Sequence, residues 1–241
     1  EQILKKYCPR KTYADNTAKL AIMSRAIKSL SQSFSFYGSA ARKPGFVSVC
    51  LSGVDTLKNA GISPQRMYDL ISADDTASSA PTHFTDKMHD IALFYSLYDK
   101  MLTELYDDRQ DNLLLAARTI EENDCFPENT RVYIDGFDSF SGAQKEFLRA
   151  MADKGVDFTV AVCTDDSGAE IFSECDKTKA LFENKYAMDC GKPRKTEYTK
   201  LGNSAVRYKN DALRVLRDFL QGEKAEKPAD SHGITLAYSH N

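Results

Sequence analysis

Three aspartates stand at the ends of two β-prone runs. Asp135 closes Val132–Tyr133–Ile134, and Asp165–Asp166 follow the run Asp157–Cys163 (DFTVAVC). Between them, Ser141 and Gln144 form a capping-box pattern that opens a helix carrying Phe147, Leu148 and Met151. Strand, helix and strand with short links make a βαβ unit, which predicts a parallel sheet whose ligand edge lies at the strands' C-terminal ends. Carboxylates at such an edge can hold Mg²⁺ against a phosphate, so Asp135, Asp165 and Asp166 are one candidate set, suited to a Mg²⁺-dependent phosphotransferase. The same residues serve as turn formers and helix caps, and spacing leaves both readings open.

Other chemistries find little support. A phosphate cradle of the form GxxxxGK[ST] is missing, and Gly136 and Gly142 are isolated. There is no GxSxG and no Cys beside a His. An Asp-x-Asp phosphatase pattern is broken by Phe137. His83 and His89 are six apart, so they do not share a helical face as i, i+4 ligands would. The six cysteines (Cys8, Cys50, Cys125, Cys163, Cys175 and Cys190) form no CxxC pair, which argues against zinc. They predict free thiols in a reducing, cytoplasmic compartment, with Cys50 and Cys163 as small core residues.

A second candidate set is basic. Lys5, Lys6, Arg10, Lys11, Lys19, Arg25, Lys28, Arg42 and Lys43 could line a phosphate-contacting surface. Phe34, Phe36 and Tyr37 lie among them; helical spacing assigns Phe34 to the core and leaves Phe36 and Tyr37 to stack on exposed bases. Residues 1–70 carry 11 Lys and Arg against 4 Asp and Glu, residues 71–130 carry 4 against 13, and residues 131–241 carry 17 against 18. The asymmetry suits either two surfaces with different partners or two segments that attract each other within the fold.

The elements that must position these residues are mostly helices. Leu20, Met23, Ile27, Leu30 and Phe34 give helical spacing over Asn16–Phe36, capped by Asp15 or Asn16. Arg42–Lys43–Pro44–Gly45 is a break. Phe46, Val49, Cys50, Val54 and Leu57 mark a second helix closed by Gly61, and Ser63–Pro64 opens a short third. Ala73–Thr82 is polar and rich in breakers, which predicts a surface loop. A long helix over Thr85–Tyr106 carries Met88, Ile91, Leu93, Tyr95, Tyr98, Leu102 and Leu105, its aromatics read as core. Further helices are expected over Asp108–Ile120, Lys177–Ala187 and Ala205–Leu220, and short strands over Thr196–Leu201 and Ile234–Tyr238, the last after a linker-like Gly222–Gly233.

The 241 residues are 42% hydrophobic and 28% charged, which excludes a disordered or collagen-like chain. No apolar run approaches the length of a membrane span. The first residues lack a secretory h-region, and the start without Met suggests a piece of something longer.

Three stretches carry a family resemblance. FVSVCLSGVDTLKNAGISPQRM ends in an element similar to "gisPe.l", on Gly61, Ile62, Ser63 and Pro64. KMHDIALFYSLYDKML is similar to "KL.Dl..iY..Y...L", with Lys87, Asp90, Tyr95 and Tyr98 in place. VYIDGFDSFSGAQKEFLRAM resembles "iyiDGF..Ft..e..vl..L". Together they resemble the AddB subunit of the bacterial ATP-dependent helicase–nuclease AddAB.

The resemblance implies an α/β fold of the superfamily 1 helicase type. Residues 1–125 would be a helical 1B-like lobe, 126–221 part of the P-loop NTPase 1A-like core with motifs II and III, and 222–241 a linker and the first strand of the next domain. It also implies an AddA-type partner, DNA as ligand and no membrane. ATP, Mg²⁺ and an iron–sulfur cluster would belong to the parent complex, and no cofactor or catalytic residue to this chain. A working motif II ends in Asp-Glu, whose Glu activates the attacking water; here Asp135 is followed by Gly136. Motif III would carry a Gln, and VAVCTDD has none. The resemblance therefore implies a degenerate motor that holds single-stranded DNA and contributes to Chi recognition in double-strand break repair. A protein-interaction scaffold using the acidic stretch Asp74–Glu128 is the remaining alternative.

Overall fold

The computed structural model describes residues 1–77, 82–164, 170–185, 196–199 and 211–220. Contacts divide it into two units, residues 1–130 with 140–157, and residues 131–139 with 158–241. Described elements are α1 (Gln2–Tyr7), α2 (Asn16–Leu30), α3 (Phe46–Asn59), α4 (Pro64–Ala77), α5 (Thr82–Leu105), α6 (Asn112–Glu122), β1 (Arg131–Ile134), α7 (Gly142–Asp153), β2 (Asp157–Val160), α8 (Ser173–Ala180) and α9 (Asp211–Leu220).

The first unit is helical. Asp15 caps α2 by accepting from the amide of Ala18. Its apolar stripe (Ile22, Met23, Ala26, Ile27) joins Cys50, Leu51 and Val54 of α3, Met67 and Ile71 of α4, and Phe94, Tyr95, Tyr98 and Leu102 of α5 in one buried core. The tyrosines are core, as their spacing predicts: Tyr95 is 1% exposed and Tyr98 is fully buried. Each Å² of apolar surface removed from water stabilises the fold by about 25 cal/mol, so these large rings dominate the packing. Burial also pushes the Cys50 thiol up to about 12, which keeps it a neutral core residue.

Helix α3 ends in a Schellman motif. The amide of Gly61 donates to the Lys58 carbonyl and that of Ile62 to the Leu57 carbonyl. Gly61 adopts φ +77°, a left-handed conformation that an L side chain enters at a cost. The Tyr95 hydroxyl then donates to the Ile62 carbonyl at 3.0 Å, tying the motif to α5. Helix α7 packs on α6 and α3. At that crossing a Cβ built on Gly142 would lie 1.8 Å from the Ala60 carbonyl oxygen, so only hydrogen fits. The Ser141–Gln144 capping box forms in both directions. Ser141→Ala should lower stability by about 1 kcal/mol in urea unfolding, and an unchanged midpoint would deny the cap its role.

The second unit holds the sheet. Amides of Asp157 and Ala161 donate to the carbonyls of Thr130 and Ile134, advancing in the same direction along both strands, so β1 and β2 pair in parallel. Phe158 packs against Phe182 with ring centroids 5.8 Å apart. The described fold is thus mostly helical with a small two-stranded parallel sheet.

Several expectations are corrected. Helix α2 stops at Leu30 because the hydroxyl and amide of Ser31 both turn back to the Lys28 carbonyl, competing with helix propagation. Phe34 is still buried, but from the following loop. Val49 is 70% exposed and lies outside the buried stripe of α3. Ala73–Ala77 continue α4 and Thr82 begins α5, so most of the expected loop is helical, consistent with Ala73 and Ala77; residues 78–81 lie outside the described part. Strand β2 ends at Val160, leaving Cys163 exposed rather than in the core. Helix α8 begins at Ser173, earlier than its apolar spacing suggests, and passes into a π turn over Leu181–Lys185. Residues 196–199 form no strand. Residues 205–210 and 222–238, with their expected helix start, linker and strand, lie outside the described part.

Candidate nucleic-acid interface

The turn after β1 carries the first candidate set. Ile134 is buried, Asp135 is exposed, and Gly136 adopts φ +76° with open space where a side chain would stand. The backbone itself, and not crowding, therefore selects glycine here. Two residues on, the Asp138 carbonyl accepts from the Thr178 hydroxyl at 2.8 Å, and its carboxylate faces the Cys175 thiol at 3.6 Å. These bonds fasten the turn to α8. Asp165 and Asp166 lie outside the described residues. Among the described residues no cluster of three or more His, Cys, Asp or Glu is placed to hold a metal.

The basic residues separate into two groups. Arg10 pairs with Asp107 at 2.8 Å and donates to Asn112 at 3.0 Å. Lys11 donates its amide to Asp107 and its ammonium to the carbonyls of Thr103 and Glu104. Lys19 reaches Asp108 at 2.6 Å. Lys58, 1% exposed, is ringed by Asp111 at 2.7 Å, Asp99 at 2.8 Å and Asp108 at 3.2 Å. The basic first third and the acidic second third thus neutralise each other inside the helical unit, and these lysines and arginines are largely occupied there. Lys5 pairs with Glu1 at 3.5 Å, and Lys6 lies over the Tyr7 ring at 4.9 Å.

Arg25, Lys28, Arg42 and Lys43 remain exposed. Arg42 and Lys43 belong to the α2–α3 loop, which also carries Phe36, 43% exposed, and half-buried Tyr37. The two rings meet edge to face at 5.0 Å, and Tyr37 packs on Phe46 at 5.4 Å. The Tyr37 carbonyl accepts from Ala41, which draws the short 3₁₀ turn Ala40–Arg42 back onto the aromatic pair. Phe36, Tyr37, Arg42 and Lys43 therefore belong to one loop. Arg10 and Lys11 do not join them: Lys11 binds the C-terminal end of α5, about 20 Å along that helix from Asp90 at 1.5 Å per residue, and Arg10 binds Asp107 and Asn112 just beyond it.

Asp90 and Lys58 are the structurally decisive charges; both lie in stretches that carry the family resemblance, but only Asp90 is a named position of its pattern. Asp90 is 2% exposed and accepts from the amides of Ser35 at 3.0 Å, Phe36 at 2.8 Å and Tyr37 at 2.8 Å. Its legible signal is position: it extends the buried stripe of Phe94, Tyr98 and Leu102, and Lys58 extends that of Leu51 and Val54. A charge in line with apolar residues needs partners, and these have them. A 260 Å³ cleft beside this network is lined by Tyr95, Tyr106, Leu114 and Leu115 and by four carboxylates (Asp99, Asp107, Asp108 and Asp111) against two cations, Arg10 and Arg118, a charge balance ill suited to phosphate.

Residues 7–216 match the sequence profile described as ADDB, N-terminal. The chain belongs to the AddB N-terminal family. Among curated relatives, the B subunit of the ATP-dependent helicase/deoxyribonuclease of Bacillus mycoides (strain KBAB4) is 24% identical over 156 residues, covering 64% of this chain and 13% of that protein. The protein of the same name from Thermoanaerobacter sp. (strain X514) is 23% identical over 178 residues, covering 73% of this chain and 14% of that protein. That of Ruminiclostridium cellulolyticum is 24% identical over 151 residues, 62% of this chain and 12% of that protein. The chain thus spans a small part of the length of these AddB relatives. No described helix is long and apolar enough to cross a membrane.

Proposed function

We propose that this chain forms part of the helicase-like half of an AddB-type protein, and that it holds single-stranded DNA without driving its movement. On this reading it works beside an AddA-type partner, in double-strand break repair, and contributes to Chi recognition. Membership of the AddB N-terminal family supports the setting. The observation that carries the choice of holder over motor is Gly136. A motor places a water-activating Glu after the strand-end Asp. Here that position has no side chain and a left-handed backbone, so restoring Glu would also strain the turn. Residues 1–125 then correspond to a 1B-like lobe, and residues 126–221 to part of a P-loop NTPase core. ATP and Mg²⁺ would serve the partner, and an iron–sulfur cluster would lie outside this chain.

The DNA-facing surface on this reading is the α2–α3 loop. Exposed Arg42 and Lys43 contact phosphates, and Phe36 with Tyr37 stack on bases. Lys5 and Lys6 add charge, while Arg10 and Lys11 act through the fold. Fluorescence anisotropy with labelled oligothymidylate across a salt series tests this. Affinity should fall as salt rises, and Arg42→Ala should reduce the slope of log K against log salt by about 0.7, the contribution of one single-strand phosphate contact. A signal independent of salt, or none at micromolar protein, would retire the proposal for this chain.

A further inference from the structure

We infer that Asp90 is the positioning residue of a base-stacking platform: by gripping three successive amides it fixes the Phe36 ring outward, where one base of a single strand can lie on it. The inference rests on the DNA-holding reading above and adds to it the residue that sets the geometry.

A loop residue with 43% of a phenylalanine exposed is an unfavourable arrangement that a free loop would relieve by turning the ring inward. This loop is denied that freedom from three directions. Before Phe36, the buried Phe34 ring meets Phe94 edge-on at 6.4 Å. After it, Tyr37 is packed on Phe46. Beneath it, Asp90 Oδ1 accepts from Ser35, and Oδ2 from both Phe36 and Tyr37. Hydrogen bonds to an ionised acceptor are about twice as strong as neutral ones, and a buried carboxylate that lost them would be left bare. The aromatic residues on either side are thus anchors, and the one between them is presented. Holding a side chain in its bound geometry beforehand is what lowers the ordering cost of association.

The chain contains no tryptophan, so Phe36→Trp introduces a sole indole fluorophore at the platform. Oligothymidylate should quench its emission, at concentrations where anisotropy of a labelled oligonucleotide reports binding. Phe36→Ala should weaken binding about tenfold or more, the scale of one lost base–aromatic stack. Asp90→Asn keeps one acceptor oxygen but turns an amide donor toward a backbone N–H. It should weaken binding comparably, leave the salt slope unchanged and, combined with Phe36→Trp, diminish the quenching of the introduced indole. The double variant Asp90→Asn, Phe36→Ala should bind no more weakly than Phe36→Ala alone, because Asp90 acts through the ring.

Binding without quenching of the introduced indole overturns the platform and leaves the DNA-holding reading intact. Absence of binding overturns both. Quenching unaltered by Asp90→Asn removes Asp90 from its role. If Asp90→Asn does not fold, Asp90→Glu, which keeps the carboxylate but displaces it by one methylene, takes its place in the quenching and double-variant measurements, and quenching or additivity contrary to the expectation there removes Asp90 from its role.

Discussion

Lys58→Met should cost the helical unit about 3–5 kcal/mol at neutral pH, the scale of breaking a buried ion pair from one side. The ammonium lies within 3.2 Å of three carboxylates, and removing it takes that cation from Asp99 and Asp111 and leaves Asp108 with Lys19 alone. Burial alone lowers the pKa of Lys58, but Asp111 and Asp99 outweigh it and hold the group above its usual range. A raised lysine contributes fully below its unfolded pKa and loses that contribution only as pH rises through the folded one, so the neutral range sees all of it.

The carboxylates respond in opposite senses. Burial pushes Asp108 up, yet the Lys19 hydrogen bond and the Lys58 charge prevail and hold it below the ordinary value. Its contribution is present above the unfolded pKa and disappears as pH falls through the folded one. Burial pushes Asp111 up and Lys58 only partly offsets this, so ionised Asp111 opposes folding and acid relieves it. Deleting Lys58 removes the downward pull on Asp111 and only part of that on Asp108, which keeps Lys19. The stability gap between the native chain and Lys58→Met should therefore narrow as pH falls from 7 to 4.5, as the stranded carboxylates take up protons. Urea unfolding at the two pH values measures it; a gap below about 1 kcal/mol at neutral pH, or one that acid does not narrow, would contradict this picture of the network.

The second large effect distinguishes two glycines. Gly142→Ala should lower stability by about 3 kcal/mol, at the upper end for an overpacked site, because its Cβ would meet backbone atoms of Ala60 at 1.8 and 2.5 Å and neither helix end can give way cheaply. Gly136→Ala should cost only about 1–2 kcal/mol, because nothing stands within 4 Å of its Cβ and the penalty is that of a left-handed backbone alone. Thermal melts of the two variants side by side read the difference. Equal melting temperatures would mean that α3 and α7 do not approach as described.

The helical unit was largely legible because its signals are local. Asp15, Ser63, Ser141 with Gln144, and Gly61 announced helix boundaries through the hydrogen bonds each residue type can make. The apolar stripes of α2, α3 and α5 located the core. Where local and long-range demands diverge, sequence pattern and structure part. Val49 shares a helix with the core without facing it, and the serines after Leu30 end a helix whose apolar spacing runs on to Phe34. The basic residues were harder. Nothing in the spacing of Arg10, Lys19 or Lys58 says that each will meet a carboxylate some 50 to 97 positions away. Of the candidate interface, Phe36, Tyr37, Arg42 and Lys43 are legible as an aromatic and basic set, and the structure puts them in one loop. Its support was missed, because a carboxylate in line with Phe94 and Tyr98 identifies its own need for donors but not that Ser35, Phe36 and Tyr37 will supply them.

The internal charge pairing has one more consequence. Residues 1–70 are strongly basic, residues 71–130 strongly acidic, and ion pairs between the two join Arg10 to Asp107, Lys19 to Asp108, and Lys58 to Asp99 and Asp111. The two halves are electrostatic mates before they are a fold. As the chain emerges during synthesis, the cationic stretch comes first and must wait, solvated and open to stray polyanions, until its acidic counterpart arrives to claim it.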